Sequence, residues 1–354
     1  MRENQAYSRK KISCQEKKLC FCLFLILTLF TACNSNVSDA PPVYQTGFIS
    51  MDTYISLTVY GEKSEEAAKA CQKEIERLEA LMSATDIDSE VSKINLSGGE
   101  KVTVSEDTAA VIAKALQTGD ETGGALDITL RPLVMEWGFT TGEYKVPDIM
   151  TIEQLLKNVD YTTVKLEGSS VTLPEGYQID LGSAAKGYAG DKALEVLKKT
   201  GITSALVNLG GNVQTLGKKP DGTDWKVAVR NPFNESNMCV LEISGKALVT
   251  SGNYERYFED ENGTKYHHII DPKDGYPADN GIVSATIIGD SGLECDALST
   301  AVFVMGKDKA ERFWREKGGF EIVLVTNDKK IFITEGISEI FTNLSDMEVN
   351  VLSN

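Results

Sequence analysis

Along the chain, apolar and polar positions fall into short blocks whose period switches between two and about three and a half. Residues 54–60 alternate and are rich in β-branched and aromatic side chains, which predicts a strand. After Gly61 the period changes. Ala67, Ala68, Cys71, Ile75, Leu78, Leu81 and Met82 recur at three and four, one apolar stripe of a helix. Ser64 is placed to cap it, with Glu65 and Glu66 in its first turn. A second helix is predicted over 107–117, ending before Gly119, and a short third over 153–157. Strands are predicted over 171–173 and 178–181, then a helix over 188–199 closed by Gly201. A buried strand over 205–209 and strands over 225–229, 240–243 and 282–288 follow. Ser291-Gly-Leu-Glu294 is a capping-box signature. It opens a helix that carries Asp296, Thr300 and Met305 and breaks at Gly306. A last helix is predicted over 309–317, and a hairpin joins 321–326 to 330–334 around Asn327 and Asp328. Helices and strands intersperse without a βαβ rhythm, so the fold class read from the pattern is α+β.

The first 33 residues follow a different logic. Arg9, Lys10, Lys11, Lys17 and Lys18 form a basic stretch, and residues 19–32 are almost purely apolar. A spanning helix needs about 20 apolar residues, and this run has the shorter length of a signal-peptide core. It ends Leu29-Phe-Thr-Ala-Cys33, which resembles a bacterial lipobox with Cys33 as the lipidated residue. An ordinary cleaved signal and an uncleaved anchor are the other readings, and all three place the body outside the cytoplasm. The polar, Pro-containing stretch 34–42 reads as a tether. The boundaries that follow are 1–32 for the signal, 33–46 for lipidated cysteine and tether, 47–340 for the working domain and 341–354 for a tail.

A formal net charge of −16 argues against a nucleic-acid partner, whose phosphates need a basic surface. Of the seven cysteines, Cys71, Cys239 and Cys295 remain beyond Cys33. They are widely spaced, without CxxC or a Cys/His cluster, and read as buried free thiols.

Three constellations can carry chemistry. The two histidines, His267 and His268, are adjacent in Tyr266-His-His-Ile-Ile-Asp-Pro272. On a strand they face opposite ways, so one at most meets a given site, as a base or as a structural imidazole. Asp296 and Thr300 are i and i+4, hence on one helical face. They suit a hard cation that holds phosphate oxygens, or equally a helix-dipole partner and an inward hydroxyl. In Ile179-Asp-Leu-Gly-Ser-Ala-Ala-Lys-Gly-Tyr188 a strand gives way to a helix through small residues, with Lys186 beside the junction. Backbone amides there can receive an anion, although no Walker loop and no GxGxxG is present.

Taken in chain order, these segments resemble the ApbE family of flavin transferases. The resemblance rests on Met51-Asp-Thr53; Leu81-Met-Ser83 with Asp88-Ser-Glu90 and Asn95; Thr122 through Thr129 with Pro132-Leu133 and Trp137-Gly-Phe139; Ile179 through Tyr188; Asn208-Leu-Gly-Gly211; Thr250-Ser-Gly-Asn-Tyr254; His268-Ile-Ile-Asp-Pro272; and Asp296-Ala-Leu-Ser-Thr300. It implies an α+β body, a mixed sheet with helices around a flavin-nucleotide cleft. It implies transfer of the FMN half of FAD to a threonine hydroxyl of exported or membrane flavoproteins, such as quinone-reductase or electron-transport subunits, with release of AMP and with Mg2+ on the pyrophosphate. By position, Met51, Ala125, Leu126, Asp127, Asp180, Lys186 and Ile270 would line the nucleotide. The Ser183 carbonyl, Asp296, Ser299 and Thr300 would hold the metal, and His268 would be the base. Asp52 stands in place of the family's Gly, Thr85 where an aromatic often flanks the flavin, Ser183-Ala184 in place of Gly-Ile and Asn253 in place of Asp. An FAD pyrophosphatase and a non-catalytic FAD-binding lipoprotein share the same site residues. A solute-binding or adhesion lipoprotein would need no metal pair.

Overall fold

The computed structural model describes residues 41–354; the signal, Cys33 and most of the predicted tether lie outside them. The chain opens on a hairpin, β1 (Val43–Ser50) and β2 (Thr53–Tyr60), followed by α1 (Ser64–Met82) and α2 (Glu90–Asn95). Then come β3 (Val102–Thr103), α3 (Glu106–Glu121), a 3-10 turn (Ile128–Leu130), α4 (Arg131–Glu136) and α5 (Ile149–Leu156). β4 (Lys165–Glu167) and β5 (Ser170–Thr172) precede α6 (Ala185–Lys199). The middle of the chain is β6 (Ser204–Leu209), β7 (Asn212–Leu216), β8 (Trp225–Arg230), β9 (Asn237–Ile243), β10 (Ala247–Gly252), β11 (Tyr257–Glu259) and β12 (Lys265–His267). β13 (Ile282–Gly289) leads into α7 (Gly292–Met305) and α8 (Lys307–Lys317). The hairpin β14 (Glu321–Thr326) and β15 (Lys330–Thr334), then β16 (Phe341–Asn343) and β17 (Glu348–Leu352), close the fold.

Nine strands form one sheet in the order β1-β2-β6-β7-β10-β13-β14-β15-β17, antiparallel except for the last pair. Both faces of its middle are covered, which is why β13 is apolar without alternation and buried throughout. Ala285 and Ile287 of β13, with Ile322 and Leu324 of β14, pack into the cluster shared with α1, α3, α6 and α7. Val283, Val323 and Val325 turn to the opposite side, against Val227 of β8 and Met238 and Leu241 of β9. β8, β9 and β16 form a small sheet over that second face. A separate cluster joins Leu133 of α4, Trp137 just past its end, Ile152 of α5 and Ile270, with the rings of Phe258, Tyr266 and Tyr276 packed against it. The α+β expectation therefore holds.

Several boundaries move for physical reasons. Val43–Gln45 are paired strand rather than tether, each opposite a residue of β2. The predicted tail contains β16 and β17, which pair with β9 and β15. Ser64 is the first buried residue of α1 rather than its cap, and no side chain caps that helix. α3 runs through Gly119 to Glu121, because the glycine serves packing: a Cβ there would sit 2.9 Å from the Tyr161 ring. Residues 178–181 form no strand; the Asp180 N–H donates to the Ile128 carbonyl, and the Asn95 side chain holds both backbone groups of Ile179. α5, α6 and α8 each begin two to four residues earlier than the periodicity indicated. The three cysteines are free and buried, as expected.

Candidate active site

The site grows from the crossing of α6 and α7. Both helices begin at backbone contact. A Cβ on Gly187 would lie 2.1 Å from the Gly292 carbonyl oxygen, and one on Gly292 would lie 1.7 Å from Gln214 Nε2. Glycine is required at both positions by close approach. The helix starts then satisfy each other. α6 has Ala184 at its cap, without a side-chain acceptor, and its Gly187 N–H donates instead to Asp296 Oδ2 of α7 at 2.8 Å. In return Asp191 of α6 accepts from Gly292 N at 2.7 Å, Leu293 N at 3.0 Å and Ser291 Oγ at 3.1 Å. Each carboxylate meets the positive end of the other helix's dipole. The predicted capping box is only half formed: Ser291 Oγ accepts from Glu294 N, while the Glu294 carboxylate turns to Lys317 at 3.1 Å.

Asp296 is 5% exposed, and burial raises its pKa; the Lys186 ammonium and the Gly187 amide oppose that rise. One turn on, Ser299 Oγ donates to the Asp296 carbonyl at 2.9 Å. Ser251 of β10 places its hydroxyl 2.8 Å from Ser299 Oγ and 3.3 Å from Thr300 Oγ1. Ser183 lies on the turn into α6, and Lys186 Nζ donates to the Gly182 carbonyl at 3.3 Å. These donors are all oxygens: one carboxylate, three hydroxyls and a carbonyl. Among the described residues no group of three or more His, Cys, Asp or Glu is placed to hold a metal. A hard, oxygen-preferring cation that takes its remaining ligands from phosphate and water fits this set; a soft one does not.

The adjacent histidines divide their roles. His267 is buried. Its Nδ1 accepts from Ile269 N at 3.3 Å, so Nε2 carries the proton and donates to the Ala278 carbonyl at 3.2 Å. Both nitrogens are used, and the ring packs edge-on against Phe303. His268 is half-buried just past β12. Its Nδ1 donates to the Arg256 carbonyl at 3.2 Å, which leaves Nε2 as a lone pair without a partner among the described residues. Burial, then the neighbouring Arg256 charge, lowers the His268 pKa to about 3, and Lys186 adds to the same effect. His267 is lowered to about 4, chiefly by burial. Both rings are neutral at neutral pH, and only His268 has a base to offer.

The remaining expected site residues fall into two groups. Met51 forms the tip of the β1–β2 hairpin with Asp52, and both have positive φ, 53° and 57°. That is the two-residue hairpin geometry in which glycine or asparagine is usual. Glu79 of α1 holds the tip by accepting from Met51 N at 2.7 Å and from Ser50 Oγ at 2.6 Å. Asp180 is half-buried and accepts from Gly182 N at 2.7 Å. Asp127 is occupied internally. Its carboxylate accepts from Thr129 N at 2.7 Å, Thr129 Oγ1 at 2.5 Å and Tyr161 N at 3.0 Å. Ala125, Leu126 and Ile270 are buried, and Ile270 belongs to the aromatic cluster beside β12. Lys186 links the two working ends, because its charge is felt by both Asp296 and His268. Ser251 and Asp191 were not singled out from the sequence. Ser251 stood inside a motif without a predicted role, and Asp191 shows only as a helical polar residue.

An oxygen donor set, an ammonium and a free imidazole on one α+β body are the parts that phosphoryl transfer needs, positioning and charge more than covalent chemistry. The ApbE family model matches residues 51–324, and the chain belongs to that family. It is 33% identical over 298 residues to an FAD:protein FMN transferase of Klebsiella pneumoniae, covering 82% of this chain and 92% of that protein. The corresponding enzyme of Treponema pallidum is 32% identical over 317 residues, covering 83% and 87%. Among solved structures, the ApbE protein of Thermotoga maritima superposes with a TM-score of 0.79 at 34% identity, covering 84% of this chain and 99% of that one. The flavin transferase ApbE of Vibrio cholerae gives 0.75 at 26%, covering 84% and 100%.

Proposed function

We propose that this protein transfers the FMN half of FAD to a threonine hydroxyl of another protein and releases AMP. The observation that carries the reading is that His268 Nε2 has no partner among the described residues, on a ring near enough to Lys186 to feel the charge that also acts on Asp296 at the α6–α7 crossing. The threonine oxygen forms a bond to the phosphorus of the FMN moiety. The bridging P–O bond to AMP breaks, and its electron pair leaves with AMP. His268 Nε2 takes the hydroxyl proton, and Nδ1–H stays on the Arg256 carbonyl, which fixes the ring. Lys186 offsets phosphate charge. Asp296, Thr300, Ser299 and the Ser183 carbonyl are the residues that would hold Mg2+, which neutralises charge on the pyrophosphate when bound. Met51, Ala125, Leu126, Asp180 and Ile270 would line the nucleotide. Asp127 would contribute its backbone, since its carboxylate is already taken.

The protein incubated with FAD, Mg2+ and a threonine-bearing acceptor should give acceptor increased in mass by one FMN, and AMP in equal amount. Free FMN and AMP without adduct would make it a hydrolase, and bound FAD without products would make it a binding protein.

The acceptors expected are exported or membrane flavoproteins, because the N-terminal residues read as an export signal ending at a lipidated Cys33. Among the described residues no helix is long and apolar enough to cross a membrane. Cys33→Ala should release the protein from membranes or stall its processing; unchanged retention with normal processing would remove the lipid anchor from the account.

A further inference from the structure

Arg131, the first residue of α4, forms no ion pair among the described residues. Its Nη2 donates to the Ala84 carbonyl at 2.8 Å, and its Nη1 donates to Gln178 Oε1. Both acceptors are neutral. The Nε–H is buried and has no acceptor among the described residues. Three other arginines are ion-paired: Arg77 with Glu74 and Asp107, Arg230 with Glu235, and Arg315 with Glu311. Burial pulls the Arg131 pKa down, and Asp180 is near enough to oppose this without forming a pair. A partly buried cation with no paired carboxylate and an unmet N–H is costly, and such a group is explained where a ligand supplies the charge.

The place says what that partner is. The guanidinium ties three segments together: the turn after α1 at Ala84, the stretch before α6 at Gln178, and the start of α4. Asp180 is two residues beyond Gln178, and Ala125, Leu126 and Asp127 directly precede the 3-10 turn that runs into Arg131. With one N–H engaged on each of Nη1 and Nη2, each of those nitrogens keeps a second N–H for a ligand.

We propose that Arg131 is a substrate-binding residue that donates to acceptor atoms of the flavin nucleotide, either a ring carbonyl or nitrogen of the flavin or a phosphate oxygen. The proposal rests on the nucleotide cleft assigned above. A purely structural arginine would stabilise the fold equally with and without nucleotide, whereas this one acts on binding.

The test is FAD affinity of Arg131→Gln and Arg131→Lys, measured by flavin fluorescence on the magnesium-loaded protein, with thermal melts taken with and without FAD. A charged hydrogen bond lost from the ligand corresponds to about ten- to a hundredfold in Kd. Arg131→Gln should show that loss and a smaller FAD-induced rise in Tm, while Arg131→Lys should fall between it and the native protein. Riboflavin and ADP as further ligands separate the two sources. Weakened riboflavin with unchanged ADP assigns the contact to the ring, and the reverse assigns it to a phosphate. FAD affinity within about twofold of native in a folded Arg131→Gln protein, or in a folded Arg131→Ala protein should the Gln variant not fold, while Lys186→Ala still weakens FAD, overturns the inference alone. If Lys186→Ala is also without effect, the cleft itself is misplaced and both readings fall.

Discussion

The α6–α7 crossing and the β12 turn solve the same problem in opposite ways. At the crossing, one carboxylate both finishes a helix and faces the site: Asp296 caps α6 through Gly187 and is also the candidate cation ligand. At β12 the two duties fall on neighbours. His267 uses both nitrogens to hold Ile269 and Ala278, and His268 keeps one nitrogen free. Substitutions at the crossing should therefore change stability and chemistry together, and those at β12 should separate them.

The largest effect is expected at Asp296. Asp296→Ala removes the candidate cation ligand and leaves the buried Gly187 N–H without its acceptor, a cost of about 1–3 kcal/mol. FMN transfer should vanish and Tm should drop. Asp296→Asn keeps an oxygen for Gly187 N, so it should regain most of the Tm but not the activity. Chelator should match the activity loss in the native protein without the drop caused by the missing cap. Native-level transfer in Asp296→Asn, or in chelator, would break the shared-duty reading of this region.

A smaller effect is expected at Asp191, which caps α7 but does not touch the candidate ligands. Asp191→Ala should cost about 1–2 kcal/mol, as for a lost helix cap. It should raise the Mg2+ concentration needed for half-maximal transfer, because α7 carries Asp296, Ser299 and Thr300. Asp191→Asn should restore much of both. A variant with native Tm and native Mg2+ response would show that α7 is set by packing alone.

A further effect concerns pH. Both histidines have folded pKa values below the ordinary 6.5, about 4 for His267 and about 3 for His268. The unfolded chain then binds protons that the folded one refuses. Their contribution to stability is complete above about pH 6.5 and is lost as pH falls toward those lower values. Melts between pH 7 and 4 should show Tm falling, with a shallower fall in His268→Asn. Identical slopes would mean that His268 titrates normally in the fold.

Part of this was legible in the sequence and part was not, for definable reasons. The stripe from Ala67 to Met82 predicts α1 because one of its faces is buried and the other solvated. β13 hides its alternation because both faces of the sheet are covered there. The first residues of β1 read as tether in the sequence because the polar, Pro-containing stretch 34–42 runs straight into them; in the fold they pair with β2, and the Tyr54 ring covers Gly47, where a Cβ would meet its hydroxyl at 1.9 Å. The shared face of Asp296 and Thr300 follows from helical spacing alone. The reciprocal capping does not, since Asp191 and Gly292 are 101 residues apart and meet only after α6 and α7 dock. Arg131 is invisible for the same reason, its contacts with Ala84 and Gln178 each spanning 47 residues. The sequence did indicate that His267 and His268 face different ways. Which one is free depends on the carbonyls of Ala278 and Arg256, and these are tertiary partners.

The most direct test of the account is a paired measurement on His268→Ala and His267→Ala: Tm, FAD affinity and the single-turnover rate of FMN transfer to a threonine acceptor. General-base help is worth about 10²–10⁴-fold. His268→Ala should lose that much rate with near-native Tm and FAD affinity. His267→Ala should lose Tm, through the unmet Ile269 and Ala278 groups, and keep most of its rate when assayed well below its own melting temperature. The reverse assignment, or near-native turnover in a folded His268→Ala, would contradict the division of duties and place the base on another group.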